Sequence, residues 1–215
     1  MLDGKSILVT GALGHLGKAT CLALSKYGAT IYGLDTQQQD EPFKVFKVDL
    51  LRVNTIEEVS RNIEVDAVVN IAGGFALDEG PYGPSEDVWK KMFELNVLTL
   101  KNSLKIMIPK LIRQKKGNIV NIGATSAMKG SPKLCSYVCA KSAVMRITET
   151  LSEELKEFNI KVNAISPSII DTPTNRAAMP DADTSTWTKP DEIAEVIGFL
   201  CSEKSSCISG VIIPV

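Results

Sequence analysis

Short apolar runs alternate with longer amphipathic segments along the chain. The apolar runs predict β-strands at residues 6–10, 30–34, 45–48, 66–71, 117–122, 161–165 and 211–213. Helical spacing of apolar residues appears over residues 16–27, 54–63, 85–95, 97–115, 137–158 and 190–200, with Asn54 as the predicted cap of the second helix. This alternation predicts an α/β fold, a doubly wound parallel sheet of about seven strands with helices on both faces.

The length of 215 residues and the uninterrupted pattern predict one domain over residues 1–215. The stretch 172–189 is the one long irregular segment, and it contains Pro173, Pro180 and Trp187. Because long loops in small domains are usually functional or mobile, we interpret this stretch as a loop on the substrate side.

Composition and charge narrow the function. The net charge of -1 gives no indication of binding to nucleic acid or to an anionic membrane surface. The apolar runs are too short to span a bilayer, and the N-terminus does not resemble a signal peptide. The five cysteines have the spacing of neither a zinc site nor a disulfide framework, which favours reduced thiols. We therefore expect a cytoplasmic protein that acts on a small molecule.

A glycine turn joins the first predicted strand to the first helix. Its spacing is G-x-x-G-x-x-G rather than the common G-x-G-x-x-G. Glycines there allow the backbone to approach a diphosphate at a helix N-terminus, although they could also form an ordinary tight turn. The predicted cofactor contacts in this turn are Gly11, Leu13, Gly14, His15, Leu16 and Gly17. His15 is the only histidine, so no metal site is predicted.

An acidic residue at the end of the second strand indicates which dinucleotide binds. Asp35 lies about twenty residues beyond the glycines, where a carboxylate accepts hydrogen bonds from the adenosine ribose and repels a 2′-phosphate. We therefore predict NAD(H) in preference to NADP(H), unless Asp35 is only a strand-end turn residue. Further cofactor contacts are predicted at the ends of the third and fourth strands, at Asp49, Leu50, Ala72, Gly73 and Gly74.

Tyr137 and Lys141 are the strongest candidates for catalysis. They are four residues apart on a predicted helix and therefore share one face, unless they are a chance surface pair. A tyrosine ordinarily titrates near 10, and an adjacent ammonium favours its ionised form. The pair is thus expected to act as a proton donor with a lowered pKa.

Several motifs follow one another along nearly the full chain. They are Thr10-Gly11, Asp35, Asp49, Asn70-Ile71-Ala72-Gly73, Asn96, Tyr137-x-x-x-Lys141 and Pro167 through Thr172. In this set and order the chain resembles the short-chain dehydrogenase/reductases, a family with a Rossmann-type fold.

The resemblance implies a role for each matching residue. Tyr137 would exchange a proton with the substrate, and Lys141 would hold the nicotinamide ribose and lower the pKa of the tyrosine. Asn96 would hold a water of the proton relay. Pro167, Ile170 and Thr172 are implied to lie beside the nicotinamide.

One position departs from the family pattern. The family usually has a catalytic serine thirteen residues before the tyrosine, and here that position is Ala124. Thr125 or Ser126 could replace the missing hydroxyl. The dihydropteridine reductases, one branch of the family, also lack this serine and resemble the chain over residues 171–188. A flat pterin could stack on Phe75, and Trp187 could close over it or serve as a core anchor.

Three functions therefore remain open. The first is an NADH-dependent reductase of a quinonoid dihydropterin, and the second is a short-chain dehydrogenase for a small alcohol or ketone. The third is a catalytically silent NAD-binding protein. The helices after Leu95 and from Tyr137 are more apolar than one sheet face requires, so we expect a homodimer or homotetramer.

Overall fold

A parallel β-sheet forms the centre of the molecule in the computed structural model, which describes residues 1–80 and 83–215. Within the described residues the sheet has seven strands: β1 Ser6–Thr10, β2 Thr30–Asp35, β3 Lys44–Lys47, β4 Ala67–Asn70, β5 Gly117–Ile122, β6 Ile160–Ser166 and β7 Ile212–Pro214. Their order is β3-β2-β1-β4-β5-β6-β7, and every neighbouring pair is parallel. The predicted fold class is confirmed.

Helices cover both faces of this sheet. They are α1 His15–Lys26, α2 Val53–Ser60, α3 Glu86–Phe93, α4 Thr99–Gln114, α5 Cys135–Glu154, α6 Pro173–Ala178 and α7 Pro190–Cys201. None of the helices in the described residues is both long enough and apolar enough to cross a membrane.

The core is divided into two layers because strand side chains alternate between the faces. On β1, Ile7 and Val9 pack in the layer under α1 and α7, whereas Leu8 packs in the layer under α2, α4 and α5. All three side chains are fully buried. Burial on both faces explains why the strands are nearly continuous apolar runs, and the carboxyl ends of these strands then form one edge.

Two predicted helix boundaries are wrong. Asn54 is not a cap, because α2 begins at Val53 after Arg52 and no described side chain caps it. The α5 helix begins two residues before Tyr137, and it ends at Glu154 rather than continuing to residue 158. A short 3₁₀ turn follows, and Asn159 in the left-handed region (φ 55°) ends it.

The predicted helices at 85–95 and 97–115 are one continuous helical rod. A π-helical turn, Glu94–Leu98, joins α3 to α4 and contains the buried Asn96. Such insertions are frequent at functional sites, since the extra residue redirects a side chain. Sequence periodicity located both helices and could not show the wider turn between them.

The segment 172–189 is more ordered than predicted. Pro173 begins α6 at a position where proline is favoured, and Thr172 caps that helix by accepting a hydrogen bond from the Asn175 amide (3.2 Å). Arg176 forms a bidentate pair with Asp171 at 2.6 and 2.9 Å. Trp187 is buried, as expected of an anchor for the segment, and its contact with a substrate stays a prediction.

Candidate active site

The glycine turn between β1 and α1 is shaped by close backbone contacts. Gly11 has a φ of 69°, and a Cβ there would lie 2.9 Å from the Ala72 Cα. A Cβ at Gly17 would collide with the Gly11 carbonyl oxygen. The first turn of α1 has neither a side-chain cap nor an acidic residue among the described residues, and Gly14 occupies the N-cap position. The turn therefore presents helix amides that suit an anionic group.

A cavity of about 650 Å³ opens beside this turn, at the carboxyl edge of the sheet. Most of the predicted cofactor contacts line it: Gly11, Leu13, Gly14, His15, Leu16, Gly17, Asp35, Asp49, Leu50, Ala72 and Gly73. The lining also includes residues that the sequence analysis missed, namely Leu34, Thr36, Gln37, Val48, Leu51, Ile71, Leu95 and Thr99. In the sequence, most of these residues differ from their neighbours only in lying near a predicted strand end. That position does not distinguish the wall of a cavity from the ordinary core.

The Asp35 carboxylate lies at the wall of this cavity and joins two of its elements. Its Oδ2 accepts a hydrogen bond from the Leu13 amide at 3.0 Å. This contact ties the end of β2 to the glycine turn. The nearby ammonium of Lys18 is paired with Glu41 at 2.6 Å.

Lys141 is buried on the second turn of α5, close to Gly73 at the carboxyl edge of the sheet. Its Nζ donates to the Ile122 carbonyl at 2.8 Å, and only 6% of the residue is exposed. Burial lowers the pKa of the Lys141 ammonium from its ordinary value of 10.5 to about 8.

Tyr137 lies one turn before Lys141 and is half-buried. The Phe75 ring meets it edge to face, with centroids 5.0 Å apart and an interplanar angle of 76°. Burial raises the pKa of the Tyr137 phenol to about 12. The predicted lowering of this pKa is therefore wrong for this structure, because desolvation of the phenolate dominates and the Lys141 ammonium is bonded to a backbone carbonyl.

Asn96 is 2% exposed and uses its side-chain amide to hold backbone. Its Nδ2 donates to the carbonyls of Gly74 (2.9 Å) and Met92 (3.0 Å), and its Oδ1 accepts from the Gly74 amide (3.2 Å). A Cβ at Gly73 would lie 2.7 Å from this Oδ1 and 3.5 Å from the Lys141 Nζ. Asn96, Gly73 and Lys141 therefore lie close together, while the part of Asn96 in a proton relay and that of Lys141 at the nicotinamide ribose stay predictions.

The position of the missing serine is occupied by a buried methyl group. Ala124 follows β5 in an extended conformation and is 5% exposed. The hydroxyl of Thr125 donates to the Ser166 carbonyl at 2.7 Å, and the Thr125 amide donates to the Pro167 carbonyl at 2.9 Å. Thr125 therefore joins the ends of β5 and β6 through its polar groups.

A polar network that the sequence analysis missed supports the floor of the site. Asn70 on β4 donates to Asn121 on β5 at 2.9 Å, and Asn121 donates to Thr148 on α5 at 2.9 Å. Ser103 on α4 donates to Asn70 at 2.8 Å. All four side chains are buried, and a satisfied buried network of this kind rigidifies the elements it joins. The sequence did contain an indication of this network, since Asn70 and Asn121 are polar residues within predicted apolar strands.

The remaining predicted residues, Pro167, Ile170 and Thr172, follow β6 at the same edge of the sheet. Ile170 forms a short bridge with Thr188 at the other end of the segment 172–189. On α6, the Thr174 hydroxyl lies 3.4 Å from the His15 Nε2. The segment thus reaches the glycine turn, which places it beside the cavity.

The geometry agrees with comparison to known proteins. A family model described as short chain dehydrogenase matches residues 5–183. The chain therefore belongs to the short-chain dehydrogenase/reductase family, and it is an NAD(P)H-dependent oxidoreductase, as predicted.

Individual relatives agree with this assignment. The chain is 29% identical over 237 aligned positions to the 3-oxoacyl-[acyl-carrier-protein] reductase FabG of Thermotoga maritima. The alignment covers 99% of this chain and 96% of that protein. Its fold resembles a 3-oxoacyl-[acyl-carrier protein] reductase of Brucella melitensis with bound NAD (TM-score 0.87, 24% identity, 99% and 90% of the two chains). It also resembles ElxO with bound NADP (TM-score 0.90, 21% identity, 98% and 96%). The curated relative is not a dihydropteridine reductase, so that narrower resemblance is not confirmed.

Proposed function

We propose that the protein uses NADH to reduce a flat, conjugated ring, with a quinonoid dihydropterin as the first candidate. One observation carries the proposal: a half-buried phenol, Tyr137, belongs to a site in which position 124 has only a methyl group. An alcohol or ketone oxygen is normally oriented by a hydroxyl at that position in the family. A conjugated ring that is held by stacking needs a hydride, a proton and a flat surface.

Phe75 offers that flat surface. Its ring is 59% exposed while its neighbour Tyr137 is half-buried. An exposed aromatic face beside a proton donor suits a planar substrate, because ring stacking adds to the free energy of apolar burial. We propose that Phe75 orients the substrate ring so that the acceptor atom faces the phenol.

The cavity beside the glycine turn fits an NAD(H) molecule. Its volume of about 650 Å³ lies in the range of small-molecule sites, and the glycines leave room that a Cβ would fill. We propose that the amides of α1 hold the diphosphate and that Asp35 holds the adenosine ribose. When bound, the dinucleotide supplies the hydride.

The Tyr137 phenol is the proton source in this proposal. With its pKa raised to about 12 by burial, the Tyr137 phenol is fully protonated at neutral pH and can donate a proton. In this proposal the Lys141 ammonium, one turn further along α5, stabilises the phenolate that forms, although in this structure the effect does not offset burial of the phenol. Proton return from solvent through the residues around Asn96 completes the cycle.

The cofactor preference is tested with Asp35→Asn. The amide oxygen of Asn can still accept from the Leu13 amide, while the negative charge is lost. We expect the Kd for NADH to rise and the Kd for NADPH to fall, each by about tenfold, which is about 1.4 kcal/mol. Fluorescence titration with both nucleotides measures this, and Asp40→Asn, an exposed neighbour, is the control. Equal wild-type affinity for the two nucleotides would contradict the assigned role of Asp35.

The relative FabG favours a second candidate, reduction of a 3-oxoacyl thioester or another small ketone. The variant Ala124→Ser separates the two because it restores the hydroxyl that orients a carbonyl oxygen. We expect ketone turnover to rise at least about tenfold, in keeping with the worth of a single oxyanion donor, while pterin reduction stays the same or falls.

Steady-state assays with NADH and each acceptor measure this effect. Ala127→Ser, another buried alanine of the same turn, is the matched control. A wild-type enzyme that reduces 3-oxoacyl thioesters efficiently and no pterin would establish the second candidate instead.

We also propose a homo-oligomer that forms through α4 and α5. An apolar groove of about 530 Å³ runs between the outer faces of these helices and is lined by Leu104, Ile108, Ile147 and Leu151. Basic side chains, including Lys101 and Arg146, flank it. An apolar groove between two long helices suits contact with a second copy of the chain.

A further inference from the structure

Asp78 is a buried carboxylate that the mechanism above does not use. It is 4% exposed, and its Oδ1 accepts from the Ser136 hydroxyl at 2.6 Å. Its Oδ2 accepts from the Ser136 amide at 3.3 Å, and its own amide donates to the Lys133 carbonyl at 2.9 Å. Asp78 is thus bonded at three points to the start of α5, although 58 residues separate it from Ser136.

These bonds give α5 the cap that its own sequence does not supply. The N-cap residue, Leu134, makes no side-chain hydrogen bond, and the first turn contains no acidic residue. A carboxylate at that end accepts from a free amide and interacts favourably with the helix dipole. The capped turn is the one that carries Tyr137.

The segment 74–78 is fixed at its other end as well. The Asn96 side chain bonds both the amide and the carbonyl of Gly74. Phe75, which touches Tyr137, lies between the two anchors. The two rings are therefore held together by one strap, residues 74–78, that is bonded to the π-helical turn at one end and to α5 at the other.

We propose that Asp78 is a positioning residue, which clamps the strap to the first turn of α5 and so holds the Tyr137 phenol and the Phe75 ring in register for proton transfer. This inference rests on the proposed function, since it assigns the precision of that proton transfer to a contact outside the cleft. Asp78 acts through Ser136 and does not touch the reacting atoms.

The test compares Asp78→Ala, Ser136→Ala and the double variant with Glu79→Ala, at an exposed acid next in the chain. In Asp78→Ala both acceptors of the Ser136 donors are lost. We expect kcat to fall about 10- to 100-fold in each single variant, as for small misplacements of a reacting group, with NADH affinity unchanged. The double variant should fall little further, because both changes break one contact. Ser136→Thr keeps the hydroxyl and should restore most of the rate.

Hydrogen exchange of the amides of residues 135–139 provides a readout independent of turnover. Faster exchange in Asp78→Ala, with Glu79→Ala unchanged, is expected for a released first turn. Unchanged exchange would overturn the clamp. Faster exchange with unaltered kcat would overturn its role in catalysis, as would an equal loss of NADH affinity. If the wild-type protein turned over no acceptor, the proposed function would be refuted. The hydrogen-exchange result would still show whether Asp78 holds the first turn of α5.

Discussion

Tyr137→Phe is expected to lower turnover by about 10³-fold, within the range for loss of a positioned general acid, while NADH affinity is retained. The substitution removes one hydroxyl and leaves the ring against Phe75, so the shape of the cleft is kept. Burial raises the pKa of the Tyr137 phenol to about 12, so the hydroxyl that the substitution removes carries the proton that the proposed mechanism transfers. Rapid mixing of enzyme, NADH and acceptor measures the rate at 340 nm.

Tyr32→Phe is the matched control, since Tyr32 lies on β2 and stacks on Phe46 away from the cleft. Its turnover should equal that of the wild type. A Tyr137→Phe variant with more than about a tenth of the wild-type rate would remove the phenol from the mechanism, because a general acid contributes at least about 10²-fold. Loss of NADH binding in the same variant would instead assign Tyr137 to the cofactor site.

Sequence patterns located the sheet and the glycine turn because both depend on local composition. A strand buried on both faces must be apolar at nearly every position, so β1 and β5 were bounded correctly. The glycine turn requires Gly11 because the chain just after β4 lies against it, and it requires Gly17 because the Gly11 carbonyl lies against that position. Each of these requirements acts within one short segment, so it is visible in the sequence of that segment alone.

Features that depend on distant partners were not predictable in the same way. The clamp between Asp78 and Ser136 joins residues far apart in sequence, and the π-helical turn Glu94–Leu98 was predicted only as a break between two helices. The pKa of Tyr137 was predicted in the wrong direction because spacing shows that a lysine is near and does not show where its ammonium is bonded. Proximity and burial act in opposite directions on a phenol, and burial dominates here.

Burial of the Lys141 ammonium lowers the stability of the fold. Between pH 8 and 10.5 the unfolded chain binds a proton at Lys141 that the folded chain releases, so this residue makes stability rise with pH in that window. Below pH 8 both states are protonated at Lys141, and burial of its ammonium lowers the free energy of unfolding by about 3 kcal/mol. In the proposed mechanism the phenolate of Tyr137 requires a charged group at this position.

Lys141→Met should therefore separate stability from activity. We expect turnover to fall at least about 10²-fold, because the variant loses the charge that stabilises the phenolate. At pH 7 the free energy of unfolding should rise by about 1–2 kcal/mol, since relief of the buried charge exceeds the loss of the bond to the Ile122 carbonyl. Urea unfolding at several pH values measures the second effect.

The difference in unfolding free energy between wild type and Lys141→Met is the decisive quantity. Between pH 8 and 10.5 the free energy of unfolding of the wild type should rise by about 3 kcal/mol relative to that of the variant. Burial raises the pKa of Cys21 and Cys201 to about 12, so these two thiols lower the stability of both proteins equally at alkaline pH and cancel in the difference. Lys156→Met, at an exposed lysine, should show no such change. A difference that stays constant from pH 7 to 10.5 would show that Lys141 is solvated, and the same ammonium could then not act as a desolvated partner of the phenolate.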